Sequence, residues 1–213
     1  MIYRMAIRIL DELKTLKSDI DETAVRRIIM DYFDEMLISS DEINRRTNAA
    51  VKLERVIRNL FLLTLAAEVT REELINRLIS EYSQIVLEYG YRPNYAHIER
   101  VAEDVIDHTL EKIDVEFMTS EDRSIMIAEN EINNVGNNDE YLEAKENGKT
   151  TKTWHTLNDN KVRDTHVAVD GVTIGIDEFF QVGEAEMLYP LDEENAYDHP
   201  EETNNCRCSV TYD

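Results

Sequence analysis

GKTTKTWHTLNDNKVRDTHVAVDGVTIG, residues 148–175, is where the character of the chain changes. Gly148 closes a long region of helical periodicity, and Thr150-Thr151-Lys152-Thr153-Trp154 is β-branched and aromatic, the composition of a strand. The turn signal Asp170-Gly171 leads into a second such run, Val172-Thr173-Ile174, and Ser209-Val210-Thr211-Tyr212 makes a third at the C-terminus. The acidic residues from Glu184 to Glu202 read as a charged loop rather than a helix.

Upstream the pattern is helical, with no Gly or Pro before Gly90. Met5, Ile9, Leu13 and Leu16 form one stripe, and Val25, Ile28, Ile29, Tyr32, Phe33 and Met36 the next. A third helix is expected over about residues 41–68, where Leu60, Phe61, Leu62, Leu63 and Leu65 cover more than one face. Such a helix is the centre of a bundle, or else a subunit interface of an oligomer. Thr70 with Glu73 is a capping box for a fourth helix that stops at Gly90. Pro93-Asn94 opens a fifth, and Thr119 or Ser120 caps a sixth, which Gly136-Asn137-Asn138 ends or weakens. The fold class is therefore α+β: a mostly helical N-terminal region, a bundle or arm over 1–117, then a small α+β domain with a few short antiparallel strands over 118–213.

The 213 residues carry 23 basic and 45 acidic side chains, a net charge of -22. Residues 1–117 hold 16 basic and 23 acidic residues, and residues 118–213 hold 7 and 22, so -15 of the charge lies in the second part. This balance opposes binding to the phosphate backbone of nucleic acid or to an anionic membrane surface. No apolar run approaches the roughly 20 residues of a spanning helix, and the N-terminus lacks a signal-peptide layout, so a cytosolic start is expected. Cys206 and Cys208 are the only cysteines, too few for a disulfide framework.

A cluster of chemistry-bearing residues fills 152–208. Trp154, Asp159, Arg-x-x-His at Arg163 and His166, Asp170-Gly171, a distant Pro190 and a closing Asn-Cys-Arg-Cys at 205–208 stand in the order TWHTLNDNKVRDTHVAVDG, PLD, NNCRC. This resembles the phage head morphogenesis family, the Mu F-like minor head proteins, from about Ser120 to the C-terminus. MIAENEINNVGN, residues 126–137, is similar to the family's lead-in helix, with Ile-Ala-Glu-Asn at 127–130 where Ala-Arg-Thr-Glu is usual. The resemblance implies a minor head protein of the virion, inside the capsid near the portal and in the host cytoplasm during assembly. It implies portal or other capsid proteins as partners, a role in head assembly, DNA packaging or ejection, no sequence-specific nucleic acid binding, no membrane association and no catalytic residue. Some relatives are attached to toxins, so the alternative is an enzyme effector, a nuclease or an ADP-ribosyltransferase with Glu184-Ala185-Glu186 as its Glu-x-Glu.

The residues themselves admit two readings. Trp154, Asp159, Arg163, His166, Asp170, Gly171, Asn205 and Arg207 are expected to hold the small domain together, with Arg163 paired to Asp159 or Asp170. The other reading of the Arg-x-x-His pair is an acid–base His beside an anion-binding Arg. Cys206 and Cys208 face one side of a strand, and with His166 they make a Zn2+ ligand set whose fourth member is His199 or His155. Against that stands a pair of buried thiols without metal.

Overall fold

The computed structural model describes residues 22–65, 69–113 and 115–213. The stripe from Met5 to Leu16 and the expected end of the third helix at 66–68 lie outside the described residues.

Five long helices form in the order the periodicity predicts. Helix α1 (Glu22–Asp34) buries Val25, Ile29 and Phe33 at i, i+4 and i+8. Helix α2 (Ser40–Thr64) opens on Ser39, whose hydroxyl accepts from the Glu42 amide. Helix α3 (Arg71–Glu88) carries both halves of the capping box: the Glu73 amide donates to Thr70 Oγ1 at 3.2 Å, and the Thr70 amide donates to Glu73 at 2.8 Å. Helix α4 (Tyr95–Glu111) starts from Asn94, and α5 (Glu121–Glu146) from Ser120 after a single 3-10 turn. Leu60 and Phe61 are fully buried at the centre of this bundle, whereas Leu65 is 55% exposed at the end of its helix. No helix among the described residues is long and apolar enough to cross a membrane.

Helix α5 does not stop or weaken at Gly136; it runs unbroken for 26 residues. The reason is Arg46 of α2, fully buried against it. Its guanidinium lies where a Cβ on Gly136 would be, so this glycine gives close approach between helices rather than a helix end.

The second part contains the three expected strands as one antiparallel sheet in the order β2-β1-β5: β1 (Thr151–His155), β2 (Thr173–Gly175) and β5 (Ser209–Tyr212). Trp154 pairs with Val210 and Lys152 with Tyr212. Lys152 and Trp154 both point inward, as period two requires. Trp154 packs edge-on against Phe180 at 5.1 Å. The Lys152 ammonium donates to the Leu188 carbonyl at 2.8 Å and lies over the Tyr141 and Phe180 rings; burial pulls its pKa down to about 8.

The acidic stretch from Glu184 to Glu202 is more ordered than a charged loop. It completes a hairpin of β3 (Phe180–Val182) and β4 (Ala185–Met187), and it ends in the short helix α7 (Pro200–Thr203). Gly183, at φ 61°, supplies the first position of the two-residue hairpin turn. Buried Asp192 holds the loop between them by accepting from the Leu188 amide at 2.8 Å and from the Asn195 side chain at 2.8 Å.

Exposed helix positions gain about 1 kcal/mol when Gly becomes Ala. Gly136→Ala is expected to do the opposite, lowering stability by about 1–3 kcal/mol because the methyl displaces a pinned guanidinium. Urea denaturation checks it, and an unchanged or higher midpoint would show that Arg46 moves aside freely.

Candidate functional site

The site assembles where α5 meets the C-terminal segment. Asn130, Asn133, Asn134, Asn137 and Asn138 lie at i, i+3, i+4, i+7 and i+8, one face of α5. Arg46 donates to the side-chain oxygens of Asn133 and Asn137 and forms ion pairs with Glu42 and Glu140 at 2.8 and 2.7 Å. An arginine can only donate, so it orients those amides with their NH2 groups outward. Asn133 then donates to the Cys206 carbonyl at 3.2 Å and Asn137 to the Pro190 carbonyl at 2.8 Å. Asn134 donates to the Leu191 carbonyl, while Asn130 accepts from the Asn205 amide at 3.0 Å and Asn138 from the Tyr189 hydroxyl at 3.2 Å.

This stripe fixes the Asn-Cys-Arg-Cys segment. Asn205 adopts a left-handed φ of 56°, which asparagine tolerates better than most residues. Cys206 and Cys208 turn inward and are 2% and 4% exposed. Arg207 turns outward, pairing with Glu35 and, at 2.8 and 3.0 Å, with Asp159. The expected partners of Arg163 are thus engaged elsewhere. Asp159 holds Arg207, and Asp170 accepts from the Thr156 amide at 2.7 Å, while Arg163 itself donates to the Asn204 carbonyl. Gly171, at φ 73°, donates its amide to the Trp154 carbonyl and turns the chain into β2.

His166 lies in the short helix α6 (Asp164–Val167) and is buried against both thiols. Its Nδ1 is 3.4 Å from Cys208 Sγ and 3.6 Å from Cys206 Sγ. Its Nε2 is 3.2 Å from Glu202, which also accepts from Thr165 at 2.7 Å. The hydrogen bond from Cys208 and then the neighbouring His166 push the Cys206 thiol well below its ordinary pKa. Burial opposes protonation of His166, but Cys206 raises its pKa. The Cys208 thiol is pushed above its ordinary range, first by its hydrogen bond to Cys206 and then by burial, and the buried Trp154 indole N–H has no hydrogen-bond partner.

The two proposed fourth ligands are not brought in. His155 points to the other face of its strand, 2.9 Å from Thr211 Oγ1. His199 begins α7 with its Nδ1 3.1 Å from Glu201, and the clustered donor set is His166, Cys206 and Cys208. Glu184 and Glu186 are both exposed on the β3–β4 hairpin. Glu202 and the asparagine stripe were missed in the sequence. The stripe's spacing is a signal, whereas Glu202 is one acid among many.

A second cluster joins His97, Glu131 and Glu193. Both ring nitrogens of His97 are engaged, by Glu131 at 2.9 Å and Arg100 at 3.0 Å, and Tyr82 donates to Glu131 at 3.0 Å. It leaves no free imidazole lone pair for a metal.

A family model described as Phage Mu protein F like protein matches residues 94–211, from the cap of α4 to β5. No curated protein and no solved structure gives a match.

Beside the site, Glu129 of α5 lines an open groove of about 420 Å³ with Tyr32, Lys161, Arg163, Asn205 and Arg207. It is 8% exposed, its Oε1 has no partner, and burial pushes its pKa up to about 8. Between its ordinary range and pH 8 the folded chain holds a proton that the unfolded chain has lost, so stability falls as pH rises through that window. Glu129→Gln is expected to remove that contribution, flattening the decline by about 3–5 kcal/mol at 1.4 kcal/mol per unit. Denaturant titrations at pH 5 and 8 measure it; identical slopes in both proteins would refute the assignment.

Proposed function

The chain belongs to the Phage Mu protein F like family, a family of phage head proteins, and from that premise we propose that it is a minor head protein with a structural role. It binds the portal or the inner capsid during head assembly and takes part in DNA packaging or ejection. The observation that carries this reading is the family match from the fourth helix to the last strand.

The use made of the motif residues supports a structural role. Trp154 fills the small core, Asp170 and Asn205 fix loop backbone, and Arg163 and Arg207 tie the C-terminal segment to neighbouring elements. These side chains serve the chain's own fold. The chain's charge of -22 fits a protein that works beside packaged DNA and is held off it by repulsion.

Two measurements test the proposal. Co-expressed with the portal protein of its own phage, the chain is expected to elute as a complex and to be found in assembled heads. Absence from both would overturn the assignment, as would cleavage of nucleic acid or NAD that His166→Ala abolishes. In a gel-shift assay at moderate salt the purified chain is expected to leave duplex DNA unshifted; a salt-sensitive shift would contradict the role given to its charge.

A further inference from the structure

We propose that His166, Cys206 and Cys208 bind one zinc ion, with a water molecule as fourth ligand, and that this ion fastens the C-terminal segment to α6. The proposal is independent of the role in the phage head.

The argument begins with the imidazole. Glu202 sits on Nε2 of His166, which keeps the proton on that nitrogen and leaves the Nδ1 lone pair free. A carboxylate on the far nitrogen is the usual support of a metal-bound histidine. The free Nδ1 faces not one sulfur but two, at 3.4 and 3.6 Å. Zinc bonds of about 2.3 Å to sulfur and about 2.05 Å to nitrogen, at the tetrahedral angle, place the two atoms about 3.5 Å apart. The observed separations are those of two edges of a zinc tetrahedron.

All three donors are buried, and all are soft or borderline, the set zinc prefers over magnesium or calcium. Next to them is a cavity of about 20 Å³, lined also by Leu157, Lys161, Arg163 and Arg207. That is room for one water molecule, and its polar lining can hold it. A nucleophilic Cys–His pair would use the same histidine and Glu202, but it needs one sulfur. The second sulfur lies at nearly the same distance from the same nitrogen, which is the placement a shared ion requires.

Gly183 belongs to the support. A Cβ there would collide with Glu202, so the hairpin turn must stay bare for the carboxylate to reach His166.

The test uses the full chain, purified reduced and without chelator, with metal counted by mass spectrometry. About one zinc per chain is expected in the wild type and in His199→Ala, and almost none in the double variant Cys206→Ser/Cys208→Ser. Zinc loss from His199→Ala would overturn the ligand set. Should the double variant fail to fold, the wild type loaded with Co2+ decides. Intense visible bands with thiolate-to-cobalt charge transfer are expected, and their absence refutes the site. Chelation is expected to lower the melting temperature of the wild type and leave the double variant unmoved. Metal-free protein that takes up no zinc, and in which iodoacetamide labels Cys206 alone, would overturn the proposal in favour of a thiolate–imidazolium pair.

Discussion

The guanidinium of Arg46 is the interaction on which the described structure turns. It is fully buried, and each of its three nitrogens donates: to Glu42 on its own helix, and to Glu140 and two asparagines on α5. A charge taken this far from water is tolerated only when paired and hydrogen-bonded, and removing one partner of such a group typically costs about 3–5 kcal/mol. The arrangement also constrains everything it touches. It requires glycine at 136, and it sets the direction of the amides of Asn133 and Asn137. Those amides then donate to the backbone carbonyls of Cys206 and Pro190 in the C-terminal loops.

The consequence is a polar layer between the main apolar cores of the two parts. One core lies among the helices, a second surrounds Trp154, Phe180, Val182 and Met187, and a smaller third joins Tyr141 and Ala144 of α5 to Ile176 and Tyr189. Helix α5 packs on α2 through one face and presents asparagines to the loops through another. The apolar part of this joint, around Tyr141 and Tyr189, is less demanding of geometry. A joint of amides and carbonyls holds only in one register, because each donor must meet its own acceptor.

The elements whose cause is local were legible in the sequence. Thr70, Asn94 and Ser120 all cap helices, and the three β-branched runs all pair in one sheet. What was not legible depends on residues far apart in the chain. Gly136 looks like a helix end until Arg46, ninety positions earlier, is placed against it. Nearness in sequence points Arg163 to Asp159 and Asp170, whereas the folded chain offers it the Asn204 carbonyl. The same nearness points to His199 as a ligand. The turn of α7 instead brings Glu202, three residues on, to His166, and leaves His199 to cap the helix.

The buried arginine and the sulfur site form one chain of contacts. Arg46 orients Asn133, Asn133 holds the carbonyl of Cys206, and Tyr32 of α1 donates to the same carbonyl at 3.3 Å. The Asn205 amide is held by Asn130 one turn earlier on the same helix. With its backbone fixed on both sides, Cys206 has its side chain aimed at His166, and in the segment leading into β5 Arg207 turns out to Asp159 while Cys208 turns in to the same imidazole. Weakening the polar layer therefore reaches the donor set without touching a donor. The converse also holds: an ion bound between His166 and the two sulfurs would stabilise the asparagine contacts that position them, because binding to the folded state alone adds to its stability. In such a chain the Cys-x-Cys segment is the last link of the helical core rather than a feature of the strand region alone.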